Sequence, residues 1–314
     1  CSHSGAFRLP EDVLSKSPDL LLIEFAVNDD QDAAHSYQDA LRGMEGIVRS
    51  ARTRLPDLDI VIIHFVNPPM LSLVQEGKVP VSIRAHEAVA DHYGISTCNV
   101  AVELADRIGK GETTWKEYGG THPKPPGNRI AAELVEQVLD ATQKIDVRKA
   151  SESTSTGDRV ISKSKSLPPP IDASSFSNGH FLDPATIRID DDWTVGEPDW
   201  SAIPGALRTR FDGQRLTASD TPEAMLELEF AGTAFGLYLL AGPDAGIVEF
   251  SVDGGDWKTA DLYHRFSNKL HYPRTVVLES VLESGNHSVK LRVSKDHNPD
   301  SRGTAVRILH FVAS

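Results

Sequence analysis

Cysteine is scarce in this sequence: Cys1 and Cys98 are the two present among 314 residues. Two thiols cannot build a disulfide framework or a four-thiolate zinc site, and the sequence leaves open whether they pair. Long apolar runs are missing as well. No window approaches the roughly eighteen uninterrupted apolar residues of a membrane-spanning helix, so a membrane is not expected as a partner. Basic charge is in deficit, with 32 Lys and Arg against 45 Asp and Glu and a net charge of −13. That balance opposes electrostatic binding to nucleic acid or to an anionic membrane surface. The start has neither a basic n-region nor an apolar h-region, which by itself says little about compartment. The remainder is ordinary for a globular chain, 39% hydrophobic and 25% charged, and the length suggests two domains.

The first part alternates buried strands with amphipathic helices. Residues 20–27, LLLIEFAV, are almost unbroken apolar sequence, which fits a strand covered on both faces. Residues 34–55 carry Leu41, Met44, Ile47, Val48, Ala51 and Leu55 at helical spacing and stop at Pro56. Residues 60–66, IVIIHFV, predict a second strand, residues 80–93 a helix and residues 95–100 a third strand. Residues 125–144 read as the clearest helix, with Ile130, Leu134, Val135, Val138 and Leu139 on one face. Strands alternating with helices imply a right-handed parallel α/β layer over residues 1–147. A strand as apolar as 20–27 is not expected at a bare sheet edge, so its edge is expected to be covered by strands missing ahead of it rather than by another chain.

Residues 148–175 change character. They are polar over 151–157 and end in Leu167-Pro168-Pro169-Pro170, and they read as a linker. Residues 176–314 show short alternating segments between turns, at 225–230, 235–240, 247–252, 275–278, 287–293 and 305–312. The Asp253-Gly254-Gly255-Asp256 stretch is a hairpin turn. This spacing predicts an antiparallel β-sandwich or jelly roll.

Two segments carry candidate chemistry. Glu24-Phe25-Ala26-Val27-Asn28-Asp29-Asp30 puts Asn28 just past a buried parallel strand, where open α/β sheets bind ligands. Its amide can donate to a developing oxyanion, or it can cap a helix. Gly119-Gly120-Thr121-His122-Pro123 leads into the last helix of the α/β layer. A histidine on such a loop can serve as general base, or can simply be solvated.

Together the two segments resemble the SGNH (GDSL-like) hydrolase superfamily, whose third block is an Asn-Asp pair after a strand and whose fifth is a His-Pro pair before the final helix. The run 5–29, GAFRLPEDVLSKSPDLLLIEFAVND, looks like the stretch joining the second and third blocks. The resemblance covers residues 1–145. It implies a three-layer SGNH/flavodoxin-like α/β fold, with its first strands missing, and a serine esterase mechanism. Asn28 then matches the oxyanion-hole amide and His122 the base that deprotonates the nucleophilic serine. Residues 176–314 resemble the β-sandwich beside some bacterial SGNH domains, which implies an acylated carbohydrate, or another small ester, as substrate.

Two departures from the family pattern matter. No Gly-Asp-Ser precedes Asn28, so the nucleophile is not identified and the chain is expected to begin inside the domain. Ser2 and Ser4 are nearest, but they match the wrong block. Gly119 stands where the family has Asp, three residues before the histidine. The expectation is a Ser–His dyad oriented by a backbone carbonyl, with Glu117 as a possible acid partner. Other candidates are weighed as structural. His64 sits in an apolar strand. His86 and His92 lack a third ligand for zinc, and Asp29, Asp30 and Asp32 lack an EF-hand pattern. No metal or cofactor is expected. Trp193, Trp200, Trp257, Tyr263 and Tyr272 could stack on sugar rings but fit a sandwich core better, and His264, Arg265 and His271 lie between strands. The leading expectation is a serine esterase deacylating, and in particular deacetylating, a carbohydrate. The alternative is a non-catalytic carbohydrate-binding protein with a vestigial hydrolase domain.

Overall fold

The computed structural model of the chain describes residues 1–152 and 167–314. It divides into two compact units, one of Cys1–Gly5 and Asp12–Ser177, the other of Ala6–Glu11 and Asn178–Ser314. Among the described residues, no helix is long and apolar enough to cross a membrane.

The first unit is a parallel sheet with helices. Its strands are β1 (Leu20–Ile23), β2 (Asp59–Ile63) and β3 (Ser96–Cys98), in the order β1-β2-β3. β1 runs parallel to β2 from the pair Leu20–Asp59 to the pair Ile23–Ile62, and β2 runs parallel to β3. α1 (Ser2–Asp12) is divided between the units, and the other helices are α2 (Tyr37–Arg54), α3 (Pro68–Gln75), α4 (Val81–Tyr93), α5 (Val100–Gly109), α6 (Trp115–Tyr118) and α7 (Pro125–Glu152). α2 begins where the Ser36 hydroxyl accepts the Asp39 N–H. It ends before Pro56, because the residue preceding a proline is pushed out of the helical region. Its Leu41, Met44, Ile47, Val48 and Ala51 are buried, as their spacing predicts.

All three strands are shorter than the apolar runs suggest. The chain leaves β1 at Ile23 and turns at once into a helical segment, with a π-helical turn over Asn28–Asp32. An apolar run of this length does not distinguish a strand from a buried helical turn. β1 is also not covered on both faces: Leu20 and Leu22 are 38% and 46% exposed. Among the described residues it pairs only with β2. β3 stops at Cys98 because Asn99 caps α5, its side-chain Oδ1 accepting the Val102 N–H at 3.1 Å.

Of the segment 148–175, residues 153–166 lie outside the described residues. Its last part is bound to the first unit. The fully buried Glu45 carboxylate on α2 accepts the Ile171 and Asp172 N–H groups at 2.6 and 3.0 Å and the Tyr93 hydroxyl at 2.6 Å. Arg49 donates to the Pro168 carbonyl at 2.8 Å, and Arg42 pairs with Asp172 at 2.7 Å.

The second unit is a sandwich of two antiparallel sheets. Its strands are β4 (His180–Phe181), β5 (Arg188–Ile189), β6 (Thr194–Gly196), β7 (Leu216–Ser219), β8 (Met225–Gly232), β9 (Phe235–Ala241), β10 (Ile247–Val252), β11 (Lys258–Asp261), β12 (Tyr272–Glu279), β13 (Gly285–Val293) and β14 (Val306–Ala313). One sheet has the order β11-β10-β13-β8-β5. The other is β12-β9-β14-β7-β6, with β4 paired to β14. Alternate residues such as Leu226 and Leu228, opposite Leu291 and Val289, fill one core together with Phe230 and Val293. The β10–β11 hairpin turns at Asp253 and Gly254, both at positive φ (53° and 72°), as a primed turn requires.

Candidate active site

Asn28 stands on the turn that follows β1. Its Nδ2 donates to the Asp32 carboxylate at 2.7 Å, and its carbonyl accepts the Ala33 N–H at 2.9 Å, closing the π-turn. The side chain is half-buried. The Asp32 contact uses one of the two amide hydrogens and leaves the other for an acceptor outside the turn. The next strand end is tied to the same turn: the Asn67 side chain, which caps α3, donates to Asp30 at 2.8 Å. Asn67 was not singled out in the sequence, although Asn-Pro-Pro before an apolar stretch is a readable helix start.

His122 lies on the loop between α6 and α7 and is exposed. The loop is pinned at its base. The Lys124 N–H donates to the Tyr118 carbonyl at 3.0 Å, and Tyr118 is fully buried. Gly119 and Gly120 take φ values of +110° and +95°, a region side chains disfavour. A Cβ at Gly119 would also lie 2.4 Å from the Lys124 nitrogen. The family's Asp position is therefore closed to Asp by this backbone. Gly119→Asp is expected to lower stability by roughly 1–3 kcal/mol, as for other strained φ positions, and not to raise activity. Denaturant unfolding and an ester assay check both halves. Glu117 is engaged elsewhere: its carboxylate accepts the Thr114 hydroxyl at 2.9 Å while its N–H donates back at 3.2 Å, a reciprocal cap on α6.

Glu24 and Tyr118 lie near each other in the first unit. Burial pushes the Glu24 carboxyl up to about 7, against the backbone N–H groups of Val27, Phe65 and Ala26, which favour its charged form. Burial and the nearby Glu24 push the Tyr118 phenol up to about 12. A carboxyl whose folded pKa is raised disfavours the folded state once it ionises. Its contribution is intact below the unfolded value near 4.5 and is lost as pH rises through about 7. Glu24→Gln is therefore expected to leave stability unchanged near pH 4.5 and to raise it by roughly 1–3 kcal/mol at pH 8. Urea unfolding at the two pH values measures this, and an equal effect at both would contradict it.

Residues 2–130 match the model of the GDSL-like lipase/acylhydrolase family. Among solved structures, the chain is similar to a two-domain esterase (CEX) active on acetylated mannans. One crystal form, with mannopentaose, gives a TM-score of 0.71 at 17% identity, covering 100% of this chain and 76% of that one. The other gives 0.68 at 18%, covering 100% and 77%. At these identities the likeness is one of fold. No curated protein matches the chain.

Within the first unit, the other candidates sort by their contacts. Ser2 is fully buried, and its N–H donates to Asp29 at 2.7 Å. His64 is fully buried with Nε2 3.0 Å from the Glu87 carboxylate. His86 Nε2 hydrogen-bonds the Asp29 carboxylate at 3.0 Å, whereas His92 faces the Pro169 carbonyl at 2.8 Å. Cys1 and Cys98 do not pair. In the sandwich, Trp193 is core and 4% exposed, whereas Trp257 is 42% exposed beneath the Arg292 guanidinium. Tyr272 stacks on His264 at 4.5 Å, and His271 is buried against Trp200.

Proposed function

We propose that the protein is a carbohydrate esterase that removes acyl groups, acetyl foremost, from a polysaccharide, with Asn28 as oxyanion donor and His122 as base. The observation that carries this reading is the pair of segments themselves. An amide oriented by Asp32 follows the first strand of a GDSL-like domain, and an exposed imidazole sits on a glycine-hinged loop before the last helix. The fold likeness to an esterase active on acetylated mannans supports a glycan ester as substrate.

In this scheme His122 takes the proton of a serine hydroxyl as the oxygen attacks the ester carbonyl. The Asn28 N–H stabilises the oxyanion of the tetrahedral intermediate. The sugar alkoxide leaves with the proton from His122, and water then hydrolyses the acyl-enzyme by the same base. The serine is left unassigned. The backbone that excludes Asp at position 119 favours a dyad over a triad.

The test is acetate release from acetylated mannan, from acetylated xylan and from a small aryl acetate by the protein carrying this chain. Release from at least one acetylated glycan is expected. Glycan binding without release of acetate from any of the three overturns the reading in favour of a binding protein.

A further inference from the structure

Asp29 is fully buried, and its only ion-pair partners among the described residues are the imidazoles of His35 and His86. Among the described residues no Lys or Arg pairs with this buried carboxylate, an arrangement short of positive charge.

The geometry around it has a second peculiarity. His35 Nδ1 is 3.3 Å from Asp29 Oδ1 without forming a hydrogen bond, and the atom is buried in a side chain only 10% exposed. Two donor atoms sharing a tetrahedral zinc ion at bonds of about 2.0–2.2 Å lie about 3.3–3.6 Å apart. The separation is therefore also a fitting one for two ligands of one ion. A third donor is at hand: the Cys1 thiol, the Asp29 carboxylate and the His35 ring each offer an atom within 4.8 Å of the others. Among the described residues no other group of three such side chains converges in this way.

We propose that Cys1, Asp29 and His35 form a site for zinc or a similar borderline-soft divalent cation. Sulfur, nitrogen and oxygen donors together suit Zn²⁺ and disfavour Mg²⁺ and Ca²⁺, which take oxygen. The carboxylate is already oriented from outside the site, by the Ser2 N–H at 2.7 Å and His86 Nε2 at 3.0 Å, as ligating carboxylates are. Binding would bring the Cys1 sulfur to the zinc–sulfur distance of about 2.3 Å. Three protein ligands leave a fourth position for water. The spacing 1, 29, 35 matches no sequence motif, which is why the sequence points to no metal. Asp29 follows Asn28 directly, so metal binding is linked to the turn that holds the amide.

Titration of the purified protein with Co²⁺, followed by displacement with Zn²⁺, tests the site without recourse to activity. One equivalent is expected to bind, with a thiolate-to-cobalt charge-transfer band. Cys1→Ser should abolish that band and Cys98→Ser should retain it. His35→Ala should weaken Zn²⁺ binding by roughly 10-fold or more, as loss of one ligand does, with circular dichroism verifying the fold. If His35→Ala does not fold, the Cys1→Ser and Cys98→Ser pair decides. Absence of the band in the parent protein, or its survival in Cys1→Ser, overturns the proposal and leaves His35 and Asp29 as a weak polar contact.

Discussion

Replacing His122 by Ala is expected to lower ester hydrolysis by roughly 10²–10⁴-fold, the usual cost of removing a general base, and by more where the base also activates the nucleophile. The structure makes this substitution clean. His122 is exposed and makes no hydrogen bond among the described residues, and its loop is held by the Tyr118 carbonyl and by Gly119 and Gly120 instead. The melting temperature should stay within about 1–2 °C of the parent, as for surface substitutions away from packed features. The loss should fall on kcat with little change in KM, because the base acts in the transition state. Glu117→Gln serves as control. Its carboxylate caps α6 through Thr114, so a small stability cost and near-parental activity are expected. Full activity in His122→Ala would end the esterase assignment of this residue.

Asn28→Ala should reduce turnover by roughly 10²–10³-fold, the measured order for one oxyanion-hole donor. The amide is not a core residue: it is half-buried and bonded through Nδ2 to Asp32 at 2.7 Å. Its removal should cost on the order of 1 kcal/mol in stability, the net worth of one hydrogen bond. Asn28→Asp should be as inactive as Asn28→Ala, since a carboxylate offers no N–H and adds repulsion at the developing charge. Asp32→Ala should fall between parent and Asn28→Ala, because it frees the amide to rotate without removing the donor. If Asp32→Ala matched Asn28→Ala while Asn28→Asp kept activity, the amide would be structural and the oxyanion donor would have to be sought elsewhere. Measurement of kcat and KM on an acetyl ester for all four proteins separates the cases.

Periodicity and motif order carried a large share of this protein by themselves. Helical spacing over residues 34–55 marks α2, and strict alternation in residues 225–230 and 287–293 marks paired strands β8 and β13. An Asn-Asp after one strand and a His-Pro before one helix, in that order, are enough to suggest the family that residues 2–130 match. These signals are local, and burial of one face imposes them on each segment independently.

Only the tertiary structure decided where the strands end and what the polar side chains are for. Residues 24–27 read as strand because they are apolar, yet the chain coils there so that Asn28 can close a π-turn and Glu24 can be buried near Tyr118. The reason for glycine at 119 lies in a positive φ and a close approach to Lys124, neither of which has a sequence signature. Asp29, His35, His86 and Ser2 converge from a turn, a loop and two helices. Their meeting depends on how those elements pack, and a buried carboxylate accepts partners by distance in space and not by spacing along the chain.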